Sequence, residues 1–126
     1  MNILIVDSDT EDTFLFCEVL NDIYAANCMV EADCRSALAT FRKMETPAFI
    51  FIDPYTTPDD GLQSLKEFKK IIDSEKTKIL IYSDVLSPRK KDEFKSLGVH
   101  DFVIKTGDMA ELKSCLQHAL GDCRLL

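Results

Sequence analysis

The sequence of 126 residues has no tryptophan and only four glycines and four prolines. So little glycine and proline excludes a collagen-like chain and a disordered low-complexity tract. The sequence also lacks an apolar run long enough to cross a membrane, and it begins on the strand-like NILIV instead of a signal peptide. These absences and the length predict one soluble domain, residues 1–126, located in the cytoplasm.

Positive charge is scarce in this chain. Fifteen Lys and Arg residues stand against 22 Asp and Glu residues, which gives a net charge of −7. Because contacts to nucleic-acid phosphates need Lys and Arg, we expect no nucleic-acid partner for this chain. The short basic run Arg89-Lys90-Lys91 is interpreted as a solvated helix face instead of a DNA contact.

The cysteines lack the spacing of a metal site or a redox motif. None of them forms a CxxC pair, and their number is odd; they are Cys17, Cys28, Cys34, Cys115 and Cys123. This usage predicts reduced thiols in a cytosolic protein, most of them filling space in the core.

What the sequence does contain is an alternation of two hydrophobic periods. Helix-period stripes of apolar residues, such as the one from Phe16 to Ile23, lie between short β-favouring runs. The runs are Asn2–Val6, Asn27–Glu31, Ala48–Ile52, Lys78–Tyr82 and Asp101–Ile104. Helix-capping signals at Ser87-Pro88 and at Asp108 support the same division.

Five strand–helix units in succession predict an α/β fold. We expect a single three-layer (βα)5 domain, with a parallel five-stranded sheet and helices on both faces. The runs ILIV and FIFI are apolar at every position, as in central strands that are buried on both sides. In the flavodoxin-like strand order 2-1-3-4-5, ligands bind between strands 1 and 3, outside the carboxyl ends of the strands.

Polar side chains follow the predicted strands at that edge of the sheet. Asp7-Ser8-Asp9 follow strand 1, Asp53 follows strand 3, Ser83 and Asp84 follow strand 4, and Lys105 follows strand 5. Clustered carboxylates need a proton or a cation, and an all-oxygen cluster suits Mg²⁺. Asp is also a nucleophile toward phosphoryl groups, whose oxygens an ammonium and a hydroxyl can contact. The combination predicts a phosphoryl-accepting site.

Taken singly, each of these residues has a plainer interpretation. Asp53 alone is a typical turn residue, and Asp9 is equally suited to cap the first helix. Ser83 alone is a loop hydroxyl and Lys105 alone a solvated cation. The functional interpretation depends on all of these groups ending on one edge of the sheet.

On these residues the whole chain resembles the receiver domains of two-component response regulators. Asp7 matches the acid that closes the first strand, and Asp53 matches the phosphoacceptor. Ser83 matches the hydroxyl after strand 4, and Lys105 matches the lysine after strand 5. Phe102, three residues before the lysine, matches the switch aromatic.

The resemblance implies that a histidine kinase or a phosphotransfer protein transfers a phosphoryl group to Asp53 with the help of Mg²⁺. The metal ligands that it implies are Asp7, Asp53 and the main-chain carbonyl of Tyr55, with Asp9 as a further candidate. Phosphorylation then remodels the face of helix 4, strand 5 and helix 5. That face would bind a downstream protein, an output domain outside this sequence, or a second copy of the chain. Such a receiver is not an enzyme, although it assists its own phosphoryl transfer.

Several positions depart from the family pattern. Ser8 stands where the family has a second, metal-binding acid, so the affinity for Mg²⁺ depends on what replaces it. Asp84 stands at a usually small position and places a negative charge beside the site, which disfavours a phosphoryl group. Thr57 stands in place of a loop proline, and Thr106 in place of the proline that often follows the lysine through a cis peptide.

The first alternative is a receiver-like interaction module that is never phosphorylated. Ser8 and Asp84 favour this alternative, because both weaken a phosphoryl site. The retained Asp53, Ser83 and Lys105 oppose it.

The second alternative is a phosphatase similar to the haloacid-dehalogenase type, in which Asp7 of the Asp7-Ser8-Asp9 run would be the nucleophile. Glu11 stands where that motif has Thr or Val, and Asp53 would have no role. The residue that is modified, Asp53 or Asp7, distinguishes a receiver from this phosphatase.

Overall fold

A computed structural model describes residues 1–55, 61–84 and 86–121. The strands within these residues are β1 (Asn2–Val6), β2 (Asn27–Glu31), β3 (Phe49–Ile52), β4 (Lys78–Ser83) and β5 (Asp101–Ile104). The helices are α1 (Thr10–Ile23), α2 (Cys34–Lys43), α3 (Leu62–Ile71), α4 (Pro88–Ser96) and α5 (Met109–Leu120). The predicted strands are confirmed, except that β3 begins one residue later than predicted and β4 ends one residue later.

The strands form one parallel sheet in the order β2-β1-β3-β4-β5, which confirms the predicted fold and strand order. Every residue of FIFI in β3 is buried, as expected of a central strand. At the carboxyl edge Val6 lies beside Ile52, and Ile52 lies beside Ile81. β1 and β3 therefore end level with each other, and β4 continues beyond them to Ser83.

Side chains alternate between the two faces of the sheet, and each face has its own core. Ile5, Phe51 and Tyr82 belong to the core that α1 and α5 cover. Their sequence neighbours Val6, Ile52 and Ile81 point to the other face and belong to the core under α2, α3 and α4. This division gives the three layers predicted from the sequence, and it decides which face each strand-end residue points to.

The helix starts follow the local capping rules. Ser87 caps α4, with Pro88 directly after it, and Asp108 caps α5 by accepting the amide hydrogens of Ala110 and Glu111. Gly61 is the N-cap of α3 and has a φ of 81°, and a Cβ at this position would lie 2.8 Å from Pro54 Cα. Only glycine fits there without displacing the main chain after β3. The start of α3 therefore packs directly against the main chain at Pro54.

No helix among the described residues is long and apolar enough to span a membrane.

Phe16 and Phe14 on α1 provide a matched test of the core. Phe16 is fully buried against Phe51 and Tyr82, whereas 70% of Phe14 is exposed. We expect Phe16→Ala to lower the free energy of unfolding by about 3–5 kcal/mol, through lost burial and a cavity. Phe14→Ala should change it by less than about 0.5 kcal/mol. Urea unfolding measures both, and equal losses would contradict this packing of α1.

Candidate functional site

The main-chain hydrogen bonds of the parallel sheet continue one residue beyond the ends of β1, β3 and β5. The amide of Asp7 donates to the carbonyl of Glu31, and the amide of Asp53 donates to the carbonyl of Val6, both at 2.9 Å. The amide of Lys105 donates to the carbonyl of Ser83 at 2.7 Å. By strand alternation these three residues continue the face that α1 and α5 cover. Their side chains therefore share one side of the sheet.

The ammonium of Lys105 lies at the centre of this site. Its Nζ is 2.9 Å from Oδ2 of Asp7 and 2.8 Å from Oδ2 of Asp53. A third carboxylate oxygen, Oδ2 of Asp12, lies 3.1 Å away. Three acids thus converge on one cation, and the structure brings together Asp7, Asp53 and Lys105 as the strand-end pattern indicated.

Asp12 is the member of this site that sequence reasoning missed. It lies in the first turn of α1, where Asp9 is the cap, and it faces the sheet edge. Phe16, one helical turn further on, is fully buried. Extending the apolar stripe of α1 back by four residues would have placed Asp12 on the same side of the helix.

Asp9 does not contact the ammonium of Lys105 as Asp12 does. Its Oδ1 accepts hydrogen bonds from the amides of Glu11 at 3.0 Å and Asp12 at 3.1 Å. These bonds make it the N-cap of α1, as the plainer interpretation of the sequence held. Its role as a metal ligand stays a prediction.

Main-chain amides fix the orientation of the two buried carboxylates. Oδ1 of Asp7 accepts from the amide of Asp9, and Oδ1 of Asp53 accepts from the amide of Tyr55, both at 2.9 Å. In each residue the other oxygen is left to face Lys105. The side chain of Tyr55 itself is 56% exposed.

The aromatic ring of Tyr82 contacts the ammonium of Lys105. Lys105 Nζ lies 5.2 Å from the centroid of the Tyr82 ring, a cation–π contact that contributes about 0.5–2 kcal/mol. Burial raises the pKa of the Tyr82 hydroxyl, so the ring stays neutral. The sequence placed Tyr82 at the end of β4 but gave no sign of this contact.

Burial and ion pairing shift the pKa values of Asp7 and Lys105 in opposite directions. Burial raises the pKa of Asp7, and this outweighs the lowering by the Asp9 amide and by Lys105. Burial also acts to lower the pKa of Lys105, but its hydrogen bonds with Asp53, Asp7 and Asp12 raise that pKa overall. The lysine is therefore firmly cationic, while burial makes the ionisation of Asp7 costly.

Ser83 and Phe102 lie on the opposite face of the sheet from the lysine. The Ser83 hydroxyl is buried and donates to the carbonyl of Asp84 at 2.7 Å. Ser83 and Phe102, together with Leu86, line a small cavity of about 40 Å³. The predicted switch residues Ser83 and Phe102 thus line one cavity, on the face of the sheet opposite the acids and Lys105.

The atypical positions are mostly exposed. Ser8 and Asp84 lie at the surface beside the site. The Thr106 hydroxyl donates to Oε2 of Glu111 and accepts from the amide of Asp108, so it supports the start of α5. The described residues contain no cis peptide bond. Thr57 lies outside the described residues.

The donor set fits a hard cation only in part. Asp7 and Asp53 offer buried carboxylate oxygens, one of which in each residue is already paired with the Lys105 ammonium. With the Tyr55 carbonyl these are the oxygen ligands that Mg²⁺ prefers, the remainder being water or phosphoryl oxygens. In the described part of the chain, however, no three acid, His or Cys side chains are arranged to hold a metal by themselves.

The fold of this chain is similar to that of several solved response-regulator structures. The chain is 25% identical to the chemotaxis response regulator CheY4 of Vibrio cholerae, with a TM-score of 0.79 over 94% of this chain and 97% of that one. The Mn²⁺-bound response regulator Rcp1 is 20% identical, with a TM-score of 0.76 over 93% and 89%. A probable two-component response regulator/GGDEF domain protein is 18% identical, with a TM-score of 0.81 over 97% of this chain and 50% of that one.

These similarities confirm the predicted resemblance to response-regulator receiver domains. The two structures below 25% identity support it through the fold alone. No protein-family model and no curated protein sequence matches the chain.

Asp7→Asn tests the electrostatic cost of the site. The folded-state pKa of Asp7 is raised above its unfolded value, so its ionisation opposes folding at neutral pH, and this cost disappears as the pH falls. We expect Asp7→Asn to raise the free energy of unfolding at neutral pH, since Lys105 keeps Asp53 and Asp12 as partners. The gain should shrink as the pH approaches 3.8, the unfolded value for Asp.

Asp9→Asn is the control for that experiment. Hydrogen bonds from the amides of Asp12 and Glu11 lower the pKa of Asp9, so its carboxylate stabilises the fold above pH 3.8 and loses this effect as the pH falls. Asp9→Asn should therefore give no gain at neutral pH. Urea unfolding across the pH range measures both variants, and a loss of stability in Asp7→Asn at neutral pH would contradict the assignment.

Proposed function

We propose that this chain, which has the fold of response-regulator receivers, accepts a phosphoryl group on Asp53 from a histidine kinase or a phosphotransfer protein. The observation that carries the proposal is the position of Asp53 at the carboxyl edge of a central strand, with Lys105 Nζ 2.8 Å from one carboxylate oxygen. The fold supports two-component signalling in general. The acceptor, the donor and the output are our inference from the site.

Exposure favours Asp53 over Asp7 as the nucleophile. The side chain of Asp7 is 1% exposed, whereas that of Asp53 is 12% exposed. A phosphodonor has to approach in line with the attacking oxygen, so the buried Asp7 is poorly placed. This argument favours the receiver over the phosphatase that would use Asp7.

The chemistry is a single transfer. A carboxylate oxygen of Asp53 attacks the phosphorus of a phosphohistidine; the O–P bond forms as the P–N bond breaks, and the imidazole nitrogen leaves with the electron pair. The Tyr55 amide holds one oxygen of Asp53, which fixes the direction of the carboxylate. The Lys105 ammonium offsets the negative charge that the phosphoryl group brings.

A divalent cation fits this proposal through Asp7, Asp53 and the Tyr55 carbonyl. When bound, Mg²⁺ would supply positive charge to the phosphoryl oxygens. Lys105 already pairs with both carboxylates, so the ammonium and the cation draw on the same oxygens. With Ser8 in place of a second acid at the strand end, we expect Mg²⁺ to bind weakly.

The signal would pass through the opposite face of the sheet. To contact a phosphoryl group on Asp53, the Ser83 hydroxyl has to leave the Asp84 carbonyl. Movement of Ser83 changes the cavity that it shares with Phe102, and therefore the surface of α4, β5 and α5. That surface would bind a downstream protein, an attached output domain or a second copy.

We assign this signalling role to the cytoplasm and regard the chain as a phosphoacceptor instead of an enzyme. The described cysteines are free thiols, which supports a reducing compartment. A binding-only module is the second candidate. The carboxylate of Asp84 places an exposed charge next to Ser83, and the main-chain carbonyl of Asp84 accepts the hydrogen bond of the Ser83 hydroxyl.

Modification of Asp53 is the direct test. The protein is incubated with Mg²⁺ and a small phosphodonor such as acetyl phosphate, and its intact mass is followed. We expect an adduct of one phosphoryl group that Asp53→Asn abolishes and that Asp22→Asn, a matched change at an exposed position near the far end of α1, retains. An adduct that Asp7→Asn alone abolishes would support the phosphatase, and no adduct at high Mg²⁺ would support the binding-only module.

Asp84 is expected to slow the transfer through its charge. Asp84→Asn should increase the rate of adduct formation by up to about fivefold, because exposed charges interact by no more than about 1 kcal/mol. Asp22→Asn, which removes an equally exposed charge near the far end of α1, is the control and should not change the rate. The difference should shrink at high salt. An equal rate in both variants would remove Asp84 from the explanation.

A further inference from the structure

A groove with lysines along one wall lies between α3 and the end of α4, and its volume is about 630 Å³. Lys66, Lys69 and Lys70 of α3 line one wall of this α3–α4 groove. Leu97 and Gly98, which follow α4, line the other wall. Leu97 is half-buried and packs on the core under α2, α3 and α4. The groove therefore has an apolar wall opposite a cationic one.

The Lys69 side chain lies against Gly98, where the α3–α4 groove meets a second hollow of about 330 Å³. A Cβ at Gly98 would lie 3.2 Å from Lys69 Cε and would overlap its Nζ, so the glycine leaves the space that the ammonium occupies. Lys78, the first residue of β4, and His100, just before β5, line the second hollow. The groove therefore continues to the amino edge of the sheet, whereas Asp53 lies at the carboxyl edge.

Positive charge is concentrated around this groove. Among the described residues that line the groove and the second hollow there is no Asp or Glu. Nine of the 15 Lys and Arg residues but only six of the 22 acids lie between residues 62 and 100, in a chain whose net charge is −7. The part of the chain that forms the groove therefore attracts anionic groups, although the chain as a whole is acidic.

Glu67 is the acid beside these lysines on α3, and it pairs with Lys70. Its Oε1 lies 3.3 Å from Lys70 Nζ and accepts a hydrogen bond from Gln63 Nε2 at 2.9 Å. In the described part of the chain, no carboxylate forms an ion pair with Lys66 or Lys69, and both lysines are exposed. These two ammonium groups are therefore open to an anionic ligand.

We propose that the α3–α4 groove binds an acidic peptide segment of a partner protein, with carboxylates on Lys66 and Lys69 and an aliphatic side chain against Leu97. The groove and the second hollow follow α3 from Gln63 to Ile72, which is about 14 Å of helix. An extended chain of roughly four residues spans that length. The shape therefore suits a short peptide.

Charge also favours a peptide over a long polyanion. Outside residues 62–100 the acids outnumber the Lys and Arg residues, so the remaining surface repels a nucleic acid or an anionic membrane. A short acidic peptide meets only the groove. The proposal does not depend on phosphoryl transfer to Asp53, because the two sites lie at opposite edges of the sheet.

Fluorescence anisotropy of a labelled probe peptide, Glu-Leu-Glu-Glu-Leu-Glu, tests the proposal on the full chain at low salt. We expect saturable binding that weakens as salt is added, and at least about tenfold weaker binding of a probe with Gln in place of every Glu. K66E/K69E should weaken binding of the acidic probe by at least about tenfold. Each exposed ion pair contributes up to about fivefold in affinity, and the new acids repel the probe.

R35E/K113E is the matched control. It changes the net charge by the same amount at exposed positions on α2 and α5, neither of which lines the groove. We expect it to change the affinity for the acidic probe by less than about threefold, since distant exposed charges are screened. Far-UV circular dichroism verifies that both variants are folded.

Three results would overturn the proposal: no binding of the acidic probe, equal binding of the Gln probe, or equal weakening by K66E/K69E and R35E/K113E. Two others would assign the groove to a different occupant and overturn it as well. Tighter binding of tripolyphosphate or of a single-stranded oligonucleotide, lost in K66E/K69E, would indicate a phosphate site. Self-association in sedimentation velocity, lost in the same variant, would indicate a second copy of the chain.

Discussion

The ion pairs of Lys105 with its three acidic partners are the interaction on which the site depends. Asp7 and Asp53 are buried at the carboxyl edge of the central strands, where carboxylates repel one another unless a cation lies between them. The lysine meets this need from β5, and Asp12 contributes from α1. Four separate elements must therefore be in place before the cluster exists. Burial at this edge raises the pKa of Asp7, and the hydrogen bonds with the three acids raise the pKa of Lys105.

Strand alternation divides the site into a chemical side and a response side. The acids and Lys105 continue the face under α1 and α5, whereas Ser83 continues the face under α4. Phosphorylation of Asp53, as we propose it, would reach α4 because Ser83 stands at the end of the neighbouring strand and can turn across the edge. Coupling between the two faces then needs one side-chain rotation, and Phe102 shares the cavity that this rotation would change.

Much of the fold could be predicted because its signals are local. A run such as FIFI in β3 is apolar at every position because both faces of the strand are covered, and Ser87 and Asp108 cap their helices through bonds that span only a few residues. The acid after β1 and the acid after β3 could be placed together because parallel strands end at one edge. Asp12 was missed because its role depends on how α1 lies against that edge.

The sequence by itself determined the order of strands and helices and the residues that end on the carboxyl edge, since period and capping are properties of neighbouring residues. The tertiary structure alone decided that Asp9 caps α1 while Asp12 contacts Lys105. It also decided that the ring of Tyr82 contacts the Lys105 ammonium. These are contacts between side chains of different elements, and they follow from the way helices and strands pack together, which no local pattern specifies.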